Sequence, residues 1–393
     1  MTPRFRRPPR GFTLIELMVG SVTTTIILGA VALTVLAVQG SYQTESRIKV
    51  AVEGARTATS FIEQRLRMAS YGVEPRFAFD FDTAALGANA KSNQVLEFGA
   101  GVPQSVTDDL ALRYRDPAWL RKGTYVNGGV SLLDGDTFGT DLPEGKRIIV
   151  ACRGSGSYVV LRTLAGGVSS GDTESGNFAL DPAMSTVGAG EGCLSRGGES
   201  TPSVMLMHEL RIRVMDLGGR PFLMAFSRLN DLDTEDAVPL AADVESFQVA
   251  YVMNRPPPGS AHAAAPAVDV SSNPVNWVLG DVGSVDAERT PDPTASPVPR
   301  FSTSYDDASR YNAHPANIRA VRVSITVRST DAEPNGRRAF PRMNVEDSTE
   351  QAAADGYYRT TMTTTVRVPN MLSRSDFIPE VGNAYTTGNA WGG

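Results

Sequence analysis

Residues 11–38 read GFTLIELMVGSVTTTIILGAVALTVLAV, and this stretch decides the fold. Its single charged residue is Glu16, which is followed by 28 uncharged residues up to Thr44. Residues 17–38 consist mainly of Leu, Ile, Val, Ala and Met. A helix needs about 20 such residues to cross the hydrocarbon core of a bilayer. The stretch therefore predicts a membrane-spanning helix.

A basic segment precedes the apolar stretch. Residues 1–11 contain no acid, and their four arginines are Arg4, Arg6, Arg7 and Arg10. Positive charges beside a membrane helix hold that end in the cytoplasm. We therefore expect the rest of the chain to lie outside the inner membrane.

Three common explanations of this N-terminal region fit the sequence poorly. A secretory signal needs a small-residue cleavage site after the apolar run, and residues 36–40, LAVQG, match one badly. A lipoprotein signal needs a nearby cysteine, whereas the first cysteine is Cys152. A plain signal anchor leaves Glu16 unexplained, because a carboxylate inside the membrane costs about 2.5–3.5 kcal/mol on insertion scales.

The segment GFTLIEL, residues 11–17, resembles the prepilin signature of type IV pilins and type II secretion pseudopilins. The resemblance implies that a prepilin peptidase cuts between Gly11 and Phe12 and methylates the new amino terminus at Phe12. It also implies that Glu16 pairs with the terminal amine of a neighbouring subunit during assembly. The alternative is a membrane anchor that matches the signature by accident.

The helical pattern continues beyond the apolar run. Apolar or small side chains recur at three- and four-residue steps, which is one face of a helix: Ile48, Val52, Ala55, Thr59, Ile62, Leu66 and Ala69. We predict a helix over residues 12–70, with a transmembrane and assembly part at 12–38 and an amphipathic part at 39–70. The amphipathic part is expected to pack on a sheet. Many major pilins have a proline within the apolar half, and this chain has none before Pro75.

The remaining chain alternates with a period of two, which predicts strands. A hairpin is predicted over residues 204–226, and further strands at 147–152, 158–164, 244–252, 318–328 and 359–368. In the strand at 318–328 we expect Val321, Val323, Ile325 and Val327 to point inward and the intervening polar residues outward. The predicted fold class is α+β: a long N-terminal helix packed on an antiparallel β-sheet body, as in pilins. The body comprises residues 71–253 and closing strands at 318–381.

Residues 254–317 form a predicted insertion loop. Nine of the 25 prolines lie within residues 254–300, which indicates a long excursion between two adjacent strands. Disorder is the simpler expectation. The alternative is a partner-binding loop, which would make the chain an adhesion or DNA-binding subunit. Residues 382–393 are predicted to be a flexible tail.

Two strand patterns narrow the resemblance. Residues 240–249, LAADVESFQV, and 319–323, RAVRV, resemble PilW-type minor pilins, whose relatives in type II secretion are the J-type pseudopilins. The resemblance implies a subunit that helps to prime pilus assembly. It also implies partners: the prepilin peptidase, other minor and major pilins through the N-terminal helix, and the inner-membrane assembly platform. The expected location is the inner membrane, with the body in the periplasm, and then the pilus at the cell surface.

Cys152 and Cys193 are the only cysteines, with 40 residues between them. An even count in an exported domain favours a disulfide, and two separate buried thiols are the alternative.

Other chemistry is weakly represented. The formal net charge of −6 argues against a dedicated nucleic-acid binder. The three histidines, His208, His262 and His314, do not form a zincin motif, and we expect His208 to lie on a strand face. We predict no catalytic residue, no metal site and no cofactor, and thus a protein that is not an enzyme.

Overall fold

The computed structural model describes residues 11–81, 94–95, 106–126, 128–152, 157–185, 192, 194–195, 201–227, 229, 237–270, 275–281, 290–297, 308–332, 345–346 and 356–372. The predicted leader up to Arg10, Cys193 and the predicted tail at 382–393 lie outside these residues. The chain divides into two compact units, Met1–Val50 and Ala51–Gly393.

A single long helix, α1 (Leu14–Met68), runs through the first unit and into the second. It is two residues shorter at each end than predicted. Thr13 caps the first turn, so helical backbone begins after it. At the other end Ser70 and Gly72 adopt left-handed φ angles of 67° and 64°, which stop the helix. A side chain at Gly72 would also collide with Arg115, since its Cβ would lie 2.9 Å from that of Arg115.

The second unit is built from β-strands. They are β1 (Gln94–Val95), β2 (Val106–Thr107), β3 (Asp109–Val126), β4 (Gly129–Leu132), β5 (Arg147–Ala151), β6 (Tyr158–Thr163), β7 (Glu174–Ser175), β8 (Phe178–Asp181), β9 (Ser203–Asp216), β10 (Pro221–Phe226), β11 (Ala237–Ala242), β12 (Val244–Met253), β13 (Val278–Leu279), β14 (Ile318–Arg328) and β15 (Arg359–Arg367). Short 3₁₀ turns occupy Pro75–Phe77, Ala308–Arg310, Pro315–Asn317 and Pro369–Leu372.

Two antiparallel sheets carry most of these strands. The nine-stranded sheet has the order β7-β4-β3-β9-β5-β6-β8, with β10 pairing with β9 and β11 pairing with β10. The four-stranded sheet has the order β13-β12-β14-β15. Every strand pair in the described residues is antiparallel. The predicted α+β class is confirmed, as is the hairpin, which is formed by β9 and β10.

The second half of α1 packs on both sheets. Its buried stripe consists of Ala55, Ala58, Ile62, Leu66 and Ala69, each fully buried. The stripe shares one apolar core with strand residues of the larger sheet, such as Leu112 and Ile212, and of the smaller sheet, such as Phe247 and Ile325. Each buried Ile or Leu contributes roughly 1.5–3 kcal/mol. The prediction of an amphipathic helix on a sheet is confirmed for residues 55–69.

A second apolar core lies elsewhere in the larger sheet. It is built around Trp119, Tyr125, Phe138, Ile148 and Leu161. The indole Nε1 of Trp119 donates to the carbonyl oxygen of Phe138 at 2.8 Å, which satisfies the polar atom of this buried ring.

The expected outward face of β14 differs from the prediction. Ser324, Thr326 and Arg328 are buried, not solvent-facing. Glu346 covers part of this face, since its carboxylate accepts hydrogen bonds from Arg322 and from the hydroxyl of Ser324. Both faces of the smaller sheet are therefore covered at these positions.

The described parts of the predicted insertion loop are also more regular than expected. β12 and β14 pair directly, as an excursion between adjacent strands requires. Within the excursion, however, β13 pairs with β12, and Asp269, Ser309 and His314 are buried. The expectation of disorder does not hold for these residues, because the excursion returns to the sheet edge and adds a strand to it.

Candidate functional site

The predicted cleavage point lies just before α1. Residues 11–13 have no helical backbone, and the ring of Phe12 is 87% exposed. A Cβ added to Gly11 would meet no atom within 4 Å. The Gly11–Phe12 peptide bond therefore lies outside the helix and is exposed, which leaves it accessible to a protease.

Thr13 and Glu16 close the first turn of α1 as a capping box. The backbone N–H of Thr13 donates to Glu16 Oε2 at 3.0 Å, and the backbone N–H of Glu16 donates to Thr13 Oγ1 at 3.3 Å. The hydroxyl of Thr13 also donates to Glu16 Oε2, at 2.8 Å. Thr13, which the sequence analysis did not single out, thus contacts Glu16 directly, and Gly11 and Phe12 precede this pair in the chain. The T-x-x-E spacing at residues 13–16 is the sequence signal that identifies such a box.

The first half of α1 is a candidate membrane span. Residues Leu14–Tyr42 have a mean hydropathy of 2.1, and none of the span is buried. The large apolar side chains between Leu14 and Val38 are 47–78% exposed. An apolar surface of this extent indicates a membrane or packed partner helices as its surroundings.

Hydroxyl groups within this span are satisfied inside the helix. Thr24 Oγ1 donates to the carbonyl oxygen of Gly20 at 2.7 Å, and Thr25 Oγ1 donates to that of Ser21 at 2.8 Å. Ser21, Thr23 and Thr34 bond to preceding carbonyls in the same way. Because each of these five hydroxyls has a partner on its own helix, they do not prevent insertion into an apolar medium.

Hydrogen bonds fix the second half of α1 to the body. Arg65 Nη1 donates to the hydroxyl oxygen of Tyr114 at 3.1 Å, which joins the helix to β3. Thr364 on β15 donates to Glu63 Oε1 at 2.6 Å, and Asn370 donates to the carbonyl oxygen of Arg67 at 2.8 Å. These bonds fix residues 63–67 relative to both sheets.

A network of ion pairs links β3, β5 and β9 of the larger sheet. Glu209 Oε1 accepts from Arg113 Nε at 2.9 Å and from Arg147 Nη1 at 2.5 Å. Asp80 forms a second ion pair with Arg113. The residues that follow α1 are thereby attached to β3 and β9.

The other predicted residues lie in the body. Cys152 follows β5 and is buried, and its predicted partner, Cys193, lies outside the described residues. His208 lies on β9, as predicted, with Nε2 3.0 Å from Asp116 Oδ2. Burial lowers the pKa of His208, and the hydrogen bond and charge of Asp116 oppose this shift. His314 Nδ1 accepts from the backbone N–H of Ala316 at 3.1 Å and so caps a 3₁₀ turn.

Comparison with known proteins points to one family. Residues 213–370 match the family model of type IV pilus-assembly protein W. This segment includes β10 to β15, and therefore the whole four-stranded sheet, but little of β9 and none of the strands before it. No curated protein matches the sequence.

Among solved structures, a type IV-like pilin from Thermus thermophilus is similar at 12% sequence identity. The match covers 58% of this chain and 86% of that pilin, with a TM-score of 0.19. A TM-score this low is no evidence of a shared arrangement, so the assignment depends on the family model. The match over residues 213–370 confirms the predicted resemblance to PilW-type minor pilins for that segment of the chain.

Proposed function

We propose that prepilin peptidase cleaves this chain between Gly11 and Phe12, and that the mature protein takes part in initiating type IV pilus assembly. The observation that carries the proposal is the accessible Gly11–Phe12 bond directly before a capped, apolar helix. The basic residues 1–10 and the PilW-type segment at 213–370 support it.

The capping box suggests how Glu16 acts in assembly. Its Oε2 accepts both hydrogen bonds from Thr13, and among the described residues its Oε1 has no such donor. Cleavage would convert Phe12 into a cationic terminus, which methylation leaves charged. In a bundle of packed helices, Oε1 of one subunit is then available to the terminal amine of the next, which offsets the cost of burying both charges.

The proposal includes a path through the membrane. Residues 14–42 hold the precursor in the inner membrane with the body in the periplasm, since the arginines stay on the cytoplasmic side. After cleavage the same apolar surface packs against the helices of other pilins. The apolar surface of residues 14–42 therefore serves first as the membrane anchor and later as the contact with other pilins in the filament.

The mass of the mature amino terminus tests cleavage. We expect the native chain to begin at N-methylated Phe12. A Gly11→Ala chain should stay at full length and unassembled in the membrane. Gly20→Ala is the matched control, because a Cβ at Gly20 also meets no atom within 4 Å. Normal processing of the Gly11→Ala chain would contradict the proposal.

A J-type pseudopilin of a type II secretion system is the second candidate, because the same cleavage and helix serve both systems. Deletion of the gene separates them. We expect a deletion strain to lose surface pili and to keep normal levels of secreted enzymes. The reverse pattern would favour the pseudopilin.

A further inference from the structure

The last strand of the smaller sheet is a long and regular edge. β15 pairs with β14 over nine consecutive positions without a register shift. Among the described residues it pairs with no other strand. Within the described residues, one side of its backbone is therefore open to an additional strand.

The ladder bonds identify the outward-facing backbone groups. Val368 N donates to the carbonyl oxygen of Arg319, and Ser329 N donates to that of Tyr358. Hydrogen-bonded and non-hydrogen-bonded pairs alternate along an antiparallel ladder. The even-numbered residues of β15 thus bond to β14, and the N–H and C=O groups of Thr361, Thr363, Thr365 and Arg367 point away from it. In the described part of the chain, none of these outward groups has a hydrogen-bond partner.

The other sheet edges are short or interrupted. β7 and β13 have two residues each, and β8 has four. β11 contains Pro239, and its pairing with β10 shifts register between Leu223 and Met224. Short strands, prolines and bulges are the usual means of preventing unwanted pairing at an edge. Within the described residues β15 has none of these three features.

Side-chain contacts hold β15 in an extended form before any partner arrives. Thr361 and Thr363 form hydrogen bonds to Thr326 and Ser324 on β14, at 2.8 Å and 2.9 Å. On the opposite face Val366 lies in the apolar core. A strand that is already ordered loses little conformational entropy when another strand adds to it.

The charges at the two ends favour a heterologous partner. Arg359 and Arg367 flank the run TTMTTTV at equal distances from Thr363. Glu245 already neutralises Arg359 through two hydrogen bonds. Arg367 is exposed and forms no ion pair within the described residues. A second copy laid antiparallel about Thr363 would bring Arg359 to Arg367, and neither Arg367 would gain an acid.

We propose that an extended segment of a different pilus subunit adds to β15 as a further strand, with a carboxylate facing Arg367. Backbone hydrogen bonds would supply much of the affinity, and the acid opposite Arg367 would supply selectivity. This inference rests on the proposed function, because it takes the partner from the pilus.

A crosslinker tests the surface directly. A photoreactive residue at position 365, in the full-length chain in its native membrane, should crosslink to another pilus subunit. Thr363→Pro removes an N–H that points away from β14 and leaves the backbone hydrogen bonds between β14 and β15, but it also removes the side-chain bond to Ser324. It should reduce this crosslink about tenfold. Arg367→Glu should reduce it as well. Arg162→Glu, an exposed arginine on β6, is the matched control.

The outcomes separate this inference from the proposed function. Unchanged crosslinking in both variants, or a crosslink between two copies of this chain, would overturn the inference. The mature terminus is measured on the same samples. If the chain is cleaved normally at Gly11 but does not crosslink to another pilus subunit, the inference about β15 is wrong and the proposed function still holds. If the chain stays uncleaved but still crosslinks to another pilus subunit, the proposed function is wrong and the inference about β15 holds. Thermal unfolding shows whether each variant is folded. If Thr363→Pro is not folded, the crosslinking of the Arg367→Glu variant decides the test.

Discussion

Thr13 and Glu16 hold each other at the start of α1 through reciprocal backbone-to-side-chain hydrogen bonds of 3.0 Å and 3.3 Å. The bonds satisfy two of the N–H groups that every helix leaves unpaired at its first turn. They also fix the position of the Glu16 carboxylate. In the proposed assembly step, this carboxylate pairs with the terminal amine of a neighbouring subunit. In the proposed assembly step, Thr13 is therefore a positioning residue for Glu16.

Replacement of Thr13 should weaken the first turn. We expect Thr13→Ala to cost about 1 kcal/mol at this cap and to lower the number of assembled pili, with cleavage at Gly11 unchanged. Thr13→Ser keeps the hydroxyl and should assemble normally. Amide hydrogen exchange of residues 13–17 in detergent, together with pilus counts, measures both effects. Equal protection in the Ala and Ser chains would show that the cap is unimportant.

The packing of the helix on the sheets gives a second prediction. Leu66 is fully buried in the core that α1 shares with both sheets. Leu66→Ala should lower the free energy of unfolding by about 2–5 kcal/mol, because it removes apolar contacts and leaves a cavity. Gln64→Ala is the control, since Gln64 is exposed on the same helix. Denaturant unfolding of the full chain in detergent measures the stability of both variants. Equal stability of the two variants would contradict this packing.

Periodicity predicted the elements whose pattern is uniform. The helical stripe and β9, β12, β14 and β15 all follow it. β3 was missed, although it is the longest strand, because Asp116 and Pro117 interrupt its alternation. The structure accommodates them in a register shift between Arg115 and Leu120, where Asp116 accepts from the backbone N–H groups of Ala118 and Trp119.

Charged residues explain why burial was harder to predict than strand position. Glu209, Arg211 and Arg213 alternate with apolar residues on β9, which normally indicates a solvent-facing side. All three are buried. Ion pairs between distant residues, such as Arg113 with Glu209, make this burial tolerable. No local pattern reveals a partner 96 positions away.

The predicted disulfide remains to be tested. Cys152 is 2% exposed within the second apolar core. A bridge to Cys193 would close a loop of about 40 residues and stabilise the fold by roughly 3–4 kcal/mol in the chain-entropy model. Peptide mapping of protein from the native envelope should find a linked peptide that separates on reduction. Two free thiols in that material would disprove the bridge.

A buried carboxyl predicts how stability depends on pH. Burial raises the pKa of Asp109 from 3.8 to about 6, against the opposing charges of Arg211 and Arg213. Arg211 Nη1 lies 3.3 Å from Asp109 Oδ2, and Asp109 Oδ1 has no hydrogen-bond partner in the described structure. The folded chain therefore holds a proton at Asp109 over a pH range in which the unfolded chain has released it.

The sign of the effect follows from this difference in bound protons. Between about pH 4 and pH 6 the folded state binds more protons than the unfolded state, so the contribution of Asp109 to stability falls as pH rises. Above that range the contribution stays low. Asp109→Asn, which cannot titrate, should remove this decline, whereas Asp136→Asn, at an exposed turn, should keep it. Unfolding of the full chains from pH 4.5 to 7.5 measures the slopes, and parallel profiles for the native and Asp109→Asn chains would contradict the raised pKa.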